Sequence, residues 1–207
     1  MSTRVNAVLD GAATWGAFYR HNVDKFVTDY LHIDLHLFQR IAIVMMFWST
    51  TYVMVASRGI GKTFLSAIYC VVRCILYPGT RVCIASGTRG QSITVLEKIT
   101  QELVPRSPEL NAEIDWKNTR INATNAVIQF KNSSVIKVVT ASDSSRGNRC
   151  HVLLLDEFRL ISKDVIDTVL RKFLTLSRQP KYATLTTEQK KAEWRKEKNL
   201  TMYLSSA

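Results

Sequence analysis

Residues 51–63 read TYVMVASRGIGKT, an unbroken apolar run from Tyr52 to Ala56 that enters a glycine turn and then a long apolar helix pattern. Strand, glycine turn and helix start, in that order, are what a phosphate-binding loop requires. Backbone N–H groups in the turn and at the helix N-terminus must converge on phosphate oxygens with no Cβ in the way. Ser57, Arg58, Gly59, Ile60 and Gly61, with Lys62, Thr63 and Phe64 opening the helix, are therefore the candidate nucleotide-binding set. Lys62 would reach the β- and γ-phosphates, and the Thr63 hydroxyl would bind Mg2+. The usual pattern begins with a glycine where this chain has Ala56. Alanine is tolerated there if the residue keeps extended dihedrals, since only a positive φ demands glycine. The competing reading, a chance GxGKT in a loop, gives no reason for a strand before it and a helix after it.

A chain of 207 residues with 46% apolar content suits one domain, 1–207, comprising a phosphate-loop core over 51–207 and a helical layer over 1–50. The apolar run 41–48 falls well short of the roughly 20 residues of a membrane-spanning helix. The N-terminus has no charged-then-apolar leader pattern, so a soluble, cytosolic protein is expected. Cys70, Cys74, Cys83 and Cys150 form no CxxC pair and sit in apolar segments, so they read as reduced core residues. Asn122 and Asn132 match the glycosylation tripeptide, which is empty without secretion. Lys and Arg number 28 against 17 Asp and Glu, a net charge of +11. That balance points to a polyanionic partner, nucleic acid ahead of an acidic membrane; the bland alternative is plain solubility.

Apolar spacing predicts helices through Trp15, Phe18 and Tyr19 and through Val23, Phe26, Val27 and Tyr30. His32 and His36, four apart around Asp34, read as ordinary helix surface rather than a metal site. Gln39 precedes the phosphate loop and is either an adenine-edge contact or a solvated helix residue. After Thr63 a helix apolar around its circumference ends at Pro78-Gly79. Next come a buried strand at 82–85, a helix at 91–103, an irregular polar region at 108–125 and a hairpin pairing 127–130 with 135–139. A glycine- and serine-containing loop, 141–149, leads to a strand at 151–155, a helix at 165–176, a basic stretch with Lys190, Lys191, Arg195, Lys196 and Lys198, and a short strand at 202–204. Strands alternating with helices imply a mainly parallel α/β sheet.

Val152-Leu153-Leu154-Leu155-Asp156-Glu157 supplies the second half of the site: a strand apolar enough for burial on both faces, ending in two carboxylates. Open α/β sheets place their ligands at that end of a strand. Asp156 would hold Mg2+ through its water shell, and Glu157 would orient and deprotonate the attacking water. The alternative is a strand that simply ends in solvated acids.

The loop 56–63, with arginine early and no leading glycine, joined to Leu153-Leu154-Leu155-Asp156-Glu157, resembles the ATPase domain of the large terminase subunit of tailed bacteriophages. The resemblance runs from Gln39, which matches the family's adenine-contacting glutamine, to Ser205-Ser206, which matches its coupling motif. It implies a P-loop NTPase of the additional-strand, catalytic-glutamate (RecA-like) class. ATP and Mg2+ would be its cofactors, Arg58 would contact phosphate, and Ser205 and Ser206 would sense the γ-phosphate. The family's coupling motif often reads Ser/Thr-Thr/Ser followed by proline or a small residue, and Ser205-Ser206-Ala207 fits it loosely.

Arg146, between Ser145 and Gly147, is the candidate arginine finger acting on a neighbouring subunit, with Arg149 second. A DNA-facing or merely solvated arginine is the alternative. The resemblance further implies a ring homo-oligomer driving double-stranded DNA into a procapsid in the host cytoplasm, with a portal protein and a small terminase subunit as partners. DNA contact would fall on the phosphate backbone. The cluster 190–198 serves DNA, a subunit interface or an exposed helix equally well. The family's nuclease domain would lie beyond Ala207, so a fragment without DNA cleavage is expected. Two rivals stand: a two-lobed helicase or translocase, which needs a second RecA-like lobe, and a non-hydrolytic nucleotide switch, which would tolerate loss of Glu157.

Overall fold

The computed structural model describes residues 3–122, 125–142, 145, 147–178 and 197–207. The N-terminal layer comprises α1 (Thr3–His21), α2 (Val23–Asp29) and α3 (Leu37–Trp48). The strands are β1 (Thr51–Ala56), β2 (Arg81–Ser86), β3 (Arg120–Ile121), β4 (Ala126–Gln129), β5 (Val135–Thr140), β6 (Val152–Asp156) and β7 (Leu200–Ser206). They form one sheet in the order β1-β7-β6-β2-β5-β4-β3. Pairing is parallel from β1 across to β5 and antiparallel for β4 and β3. The last strand in sequence therefore lies between the strand of the phosphate loop and the strand of the acid pair.

Alternation along the strands sorts the core into two layers. Val82, Ile84, Val152, Leu154, Met202 and Leu204 face a large cluster with the N-terminal helices and α4 (Lys62–Leu76). Cys83, Ala85, Leu153 and Leu155 face a smaller one with Ile161, Ile166, Val169 and Phe173. That second layer begins with α7 (Lys163–Val165), capped by the Ser162 hydroxyl, and continues through π and 3-10 turns to Thr175. It leaves the β1 end open: Val53 and Val55 are 58% and 52% exposed.

α4 is buried nearly all round, as its sequence demands. Its C-terminal carbonyls, which lack intrahelical partners, are taken by other parts of the chain. The Arg20 guanidinium donates twice to Leu76 O (2.9 and 2.8 Å), and Asn132 Nδ2 and Ser134 Oγ donate to Cys74 O at 2.8 and 2.9 Å. The hairpin turn thus anchors the helix whose other end makes the phosphate loop.

Three expectations need correction. The region 108–122 is not irregular throughout: α6 (Pro108–Glu113) forms with Ser107 Oγ accepting from Leu110 N–H, and Arg120–Ile121 joins the sheet. Proline at the first helical position beside a serine cap starts a short helix that apolar periodicity cannot show. Residues 32–36 are not helical, so the two histidines share no helix face. His32 has φ 56° and meets Glu109 at 3.2 Å, while His36 caps α3. The helix 91–103 begins earlier, as α5 (Arg89–Glu97), and continues in π-helical form through Leu103. The four cysteines are free and buried, and no described helix is long and apolar enough to cross a membrane.

Candidate nucleotide site

β1 ends at Ala56, so that residue keeps extended geometry without glycine. Gly59 and Gly61 then take φ values of 87° and 90°, which L side chains rarely adopt. Gly61 also has a steric reason to lack a side chain, because a Cβ there would lie 3.3 Å from Gln39 Nε2. Gln39 is 8% exposed, so the solvated reading does not hold. Its Oε1 accepts from His36 N–H at 3.0 Å, and this bond caps α3 and brings the amide against the loop. Ser57, Arg58, Gly59 and Ile60 are exposed; Thr63 and Phe64 are half-buried in the first turn of α4. The Lys62 ammonium donates to Ala56 O (3.1 Å) and Ser57 O (3.4 Å). It is folded back on its own loop, with carbonyl oxygens where a phosphate-binding lysine has phosphate oxygens.

Asp156 closes β6 at the ligand-binding edge of the sheet and is 7% exposed. Burial, and then the neighbouring Glu157 charge, push its carboxyl up to about 6 against the opposing pull of Lys62. Glu157 follows in the left-handed region (φ 49°, ψ 48°), a conformation that costs roughly 1–2 kcal/mol without glycine. Its carboxylate is held by three donors: Ser205 Oγ at 3.1 Å, Ser206 N–H at 2.8 Å and Ser206 Oγ at 2.5 Å. Burial works to raise its pKa, but the Ser206 and Ser205 hydrogen bonds, with Lys62, outweigh it and hold the carboxyl below its usual range. Lys62 thus acts electrostatically on both acids, and the two motifs meet.

Strand register explains the meeting. β7 pairs Val55 with Ser205 and Ala56 with Ser206 on one side, and Asp156 with Leu204 on the other. Ala207 N–H donates to Ala56 O (3.1 Å), the oxygen that also accepts from Lys62. Ser205 and Ser206 therefore hold the acid; their expected contact with a γ-phosphate stays a proposal. Arg58, Gln91, Glu157, Arg159, Leu160, Ser205 and Ser206 line one cavity of about 380 Å³. Arg159 Nη1 donates to Ser206 O at 3.1 Å. Sequence reasoning missed Gln91 and Arg159; the signal was their position just after the C-terminal ends of β2 and β6, where α/β ligands gather.

The residues present fit a magnesium nucleotide. Among the described residues no three His, Cys, Asp or Glu side chains form a cage. One buried carboxylate and one hydroxyl suit Mg2+, which is usually held by one or two carboxylates and substrate phosphates. A cation would also relieve the burial that raises Asp156. Arg146 lies outside the described residues, as does most of the cluster 190–198; Arg149 and Lys198 are exposed.

The sequence matches the family described as Terminase large subunit, ATPase domain, over residues 32–201. The solved ATPase domain of the Thermus phage P74-26 large terminase aligns with a TM-score of 0.56 at 15% identity, covering 85% of this chain and 67% of that one. An arginine-to-alanine variant of that domain aligns with a TM-score of 0.57 at 16% identity, covering 86% and 67%. At these identities the likeness establishes the fold. A comparison with curated proteins finds no match.

Proposed function

The chain belongs to the ATPase-domain family of the terminase large subunit, and on that premise we propose that it hydrolyses ATP with Mg2+ to drive double-stranded DNA into a procapsid. The observation that supports this best is that β7 joins the two motifs beside one cavity: Ser206, paired with Ala56, donates to Glu157, and Ala207 N–H shares Ala56 O with the Lys62 ammonium. Lys62 leaves its two carbonyl partners for the β- and γ-phosphates, loop N–H groups and Arg58 bind phosphate oxygens, and Gln39 reads the adenine edge. Mg2+, when bound through Thr63 and Asp156, neutralises charge on the phosphates. Glu157, ionised and held by its three donors, accepts a proton from the attacking water. Ser205 and Ser206 relay the state of the γ-phosphate into β7.

In the assembly the chain works as a ring on a portal protein, served by a small terminase subunit, in the host cytoplasm. Arg146, with Arg149 second, reaches the neighbouring subunit's γ-phosphate. The test is phosphate release from ATP by the wild-type chain and by Glu157→Gln. Loss of about 10²- to 10⁴-fold with nucleotide binding kept supports hydrolysis. A wild-type chain that binds ATP without releasing phosphate favours the non-hydrolytic switch instead, and unchanged turnover in Glu157→Gln removes Glu157 as the base. Mixing Arg146→Ala with Glu157→Gln chains at high concentration should restore part of the activity; no recovery at any ratio argues against a finger acting across subunits.

A further inference from the structure

We propose that Gln91 orients the attacking water together with Glu157, an assignment that rests on the ATPase reading above. Gln91 lines the same cavity as Glu157 and Arg58, and its Oε1 is buried with no hydrogen-bond partner among the described residues. A buried acceptor is costly to leave without a donor, so an unmatched one on a residue that lines a polar cavity marks a place where a donor can be taken up once the side chain turns toward it. Arg159, another donor lining the cavity, already gives Nη1 to Ser206 O.

The position of Gln91 is built into the fold. It sits in the first turn of α5, and the next residue, Ser92, shares a 2.7 Å hydrogen bond with Ser86 at the C-terminal end of β2, both side chains fully buried. Ser86 Oγ also donates to Thr88 O, closing the strand-to-helix turn. Gly87 in that turn abuts the segment after the catalytic acid: a Cβ there would lie 3.5 Å from Leu160 O. β2 pairs directly with β6, so the helix start that carries Gln91 and the turn that carries Glu157 follow neighbouring strands.

A water between them has two acceptors for its two protons, which leaves a lone pair for phosphorus. Its oxygen bonds to the γ-phosphorus, and the bond from that phosphorus to the bridging oxygen breaks with its electron pair left on ADP. One proton passes to Glu157; the other, donated to Gln91 Oε1, stays on the phosphate product. An orienting amide of this kind takes no proton, so it changes turnover and leaves ground-state binding alone.

The experiment measures, in Mg2+, phosphate release at saturating ATP and the calorimetric affinities of ADP with beryllium fluoride and ADP with aluminium fluoride. The proteins are the 207-residue chain and its Gln91→Leu and Gln91→Glu variants. Gln91→Leu should lower kcat roughly 10- to 100-fold and weaken the aluminium fluoride complex, which mimics the transition state, by a similar factor. KM and the beryllium fluoride complex should stay within about twofold of wild type. Gln91→Glu keeps an acceptor oxygen and should retain most of both. If the leucine variant melts early, Gln91→Asn, whose amide is one methylene too short, carries the same expectation. An active wild type with unchanged kcat and aluminium fluoride affinity in Gln91→Leu overturns the assignment alone. Equal loss of both fluoride complexes in every variant also overturns it, as a merely structural effect. A wild type that neither binds nor hydrolyses ATP overturns the ATPase reading first and this assignment with it.

Discussion

The phosphate loop and the acid pair face each other across one site, but they are made in opposite ways. Residues 57–60 are exposed, and the loop takes its shape from backbone, with two glycines at positive φ and a lysine satisfied by loop carbonyls. Asp156 and Glu157 sit at the end of a fully buried strand, and Glu157 takes its place from side-chain and main-chain donors on another strand. The loop can change partners without disturbing the core. The acids cannot move unless β7 moves with them. Within the pair there is a second contrast: burial raises Asp156, whereas hydrogen bonds lower Glu157.

The hardest blow to the comparison is Lys62→Ala. Removing the loop's only ammonium should weaken ATP binding by about 100-fold or more while leaving the melting temperature nearly unchanged, because its present partners are two backbone carbonyls, of Ala56 and Ser57, at the end of β1 and the start of the loop. Titration calorimetry and thermal melting check the two halves. A large loss of stability would show the loop to be built into the core after all.

The acid end predicts the reverse signature. Asp156 is raised in the folded state, so it favours folding below its unfolded pKa and loses that contribution as pH rises through about 6. Asp156→Asn should therefore stabilise the fold at neutral pH, by an amount on the order of 2 kcal/mol in chemical unfolding. It should also abolish magnesium-dependent nucleotide binding. In the wild type the same titration should weaken that binding roughly tenfold per unit as pH falls below about 6, because protonated Asp156 cannot hold the metal. A pH-independent affinity between 5 and 7 would contradict it.

Ser206→Ala tests the side-chain grip more gently. It removes the 2.5 Å donor and leaves the 2.8 Å N–H, so kcat should fall several-fold, about 3- to 10-fold, with KM unchanged. An effect of similar size, on stability rather than turnover, belongs to Gly61→Ala, at φ 90° with Gln39 Nε2 close by. It should cost roughly 1–2 kcal/mol of stability and displace Gln39, weakening adenine nucleotides more than inorganic triphosphate.

The same contrast governs what could be read from the sequence. The loop was legible because strand, glycine turn and helix are contiguous, and α4 starts at Lys62 as the pattern requires. The acid pair was legible because four apolar residues precede two carboxylates. The placement of β7 was not, since the segment read as a short final strand at 202–204 enters the sheet between β1 and β6 as seven residues. Nothing local in Leu200–Ser206 says which strands it will separate. For the same reason Ser205 and Ser206 could be matched to a motif but not to Glu157, and Gln91 could not be matched to anything. Gln39 shows a milder failure, because its burial depends on a cap formed by His36, three residues away, in a stretch expected to be helical.

One consequence follows from the sheet order. β1, which carries the phosphate loop, is its outermost strand, laddered on β7 alone among the described residues. Half of its amides therefore lack a strand partner, and deuterium should replace protium there sooner than in the flanked β6 or β2. The strand that leads into the glycine loop is thus the least protected of the five parallel ones, sewn to the remainder by a single seam, and that seam is the strand bearing Ser205 and Ser206.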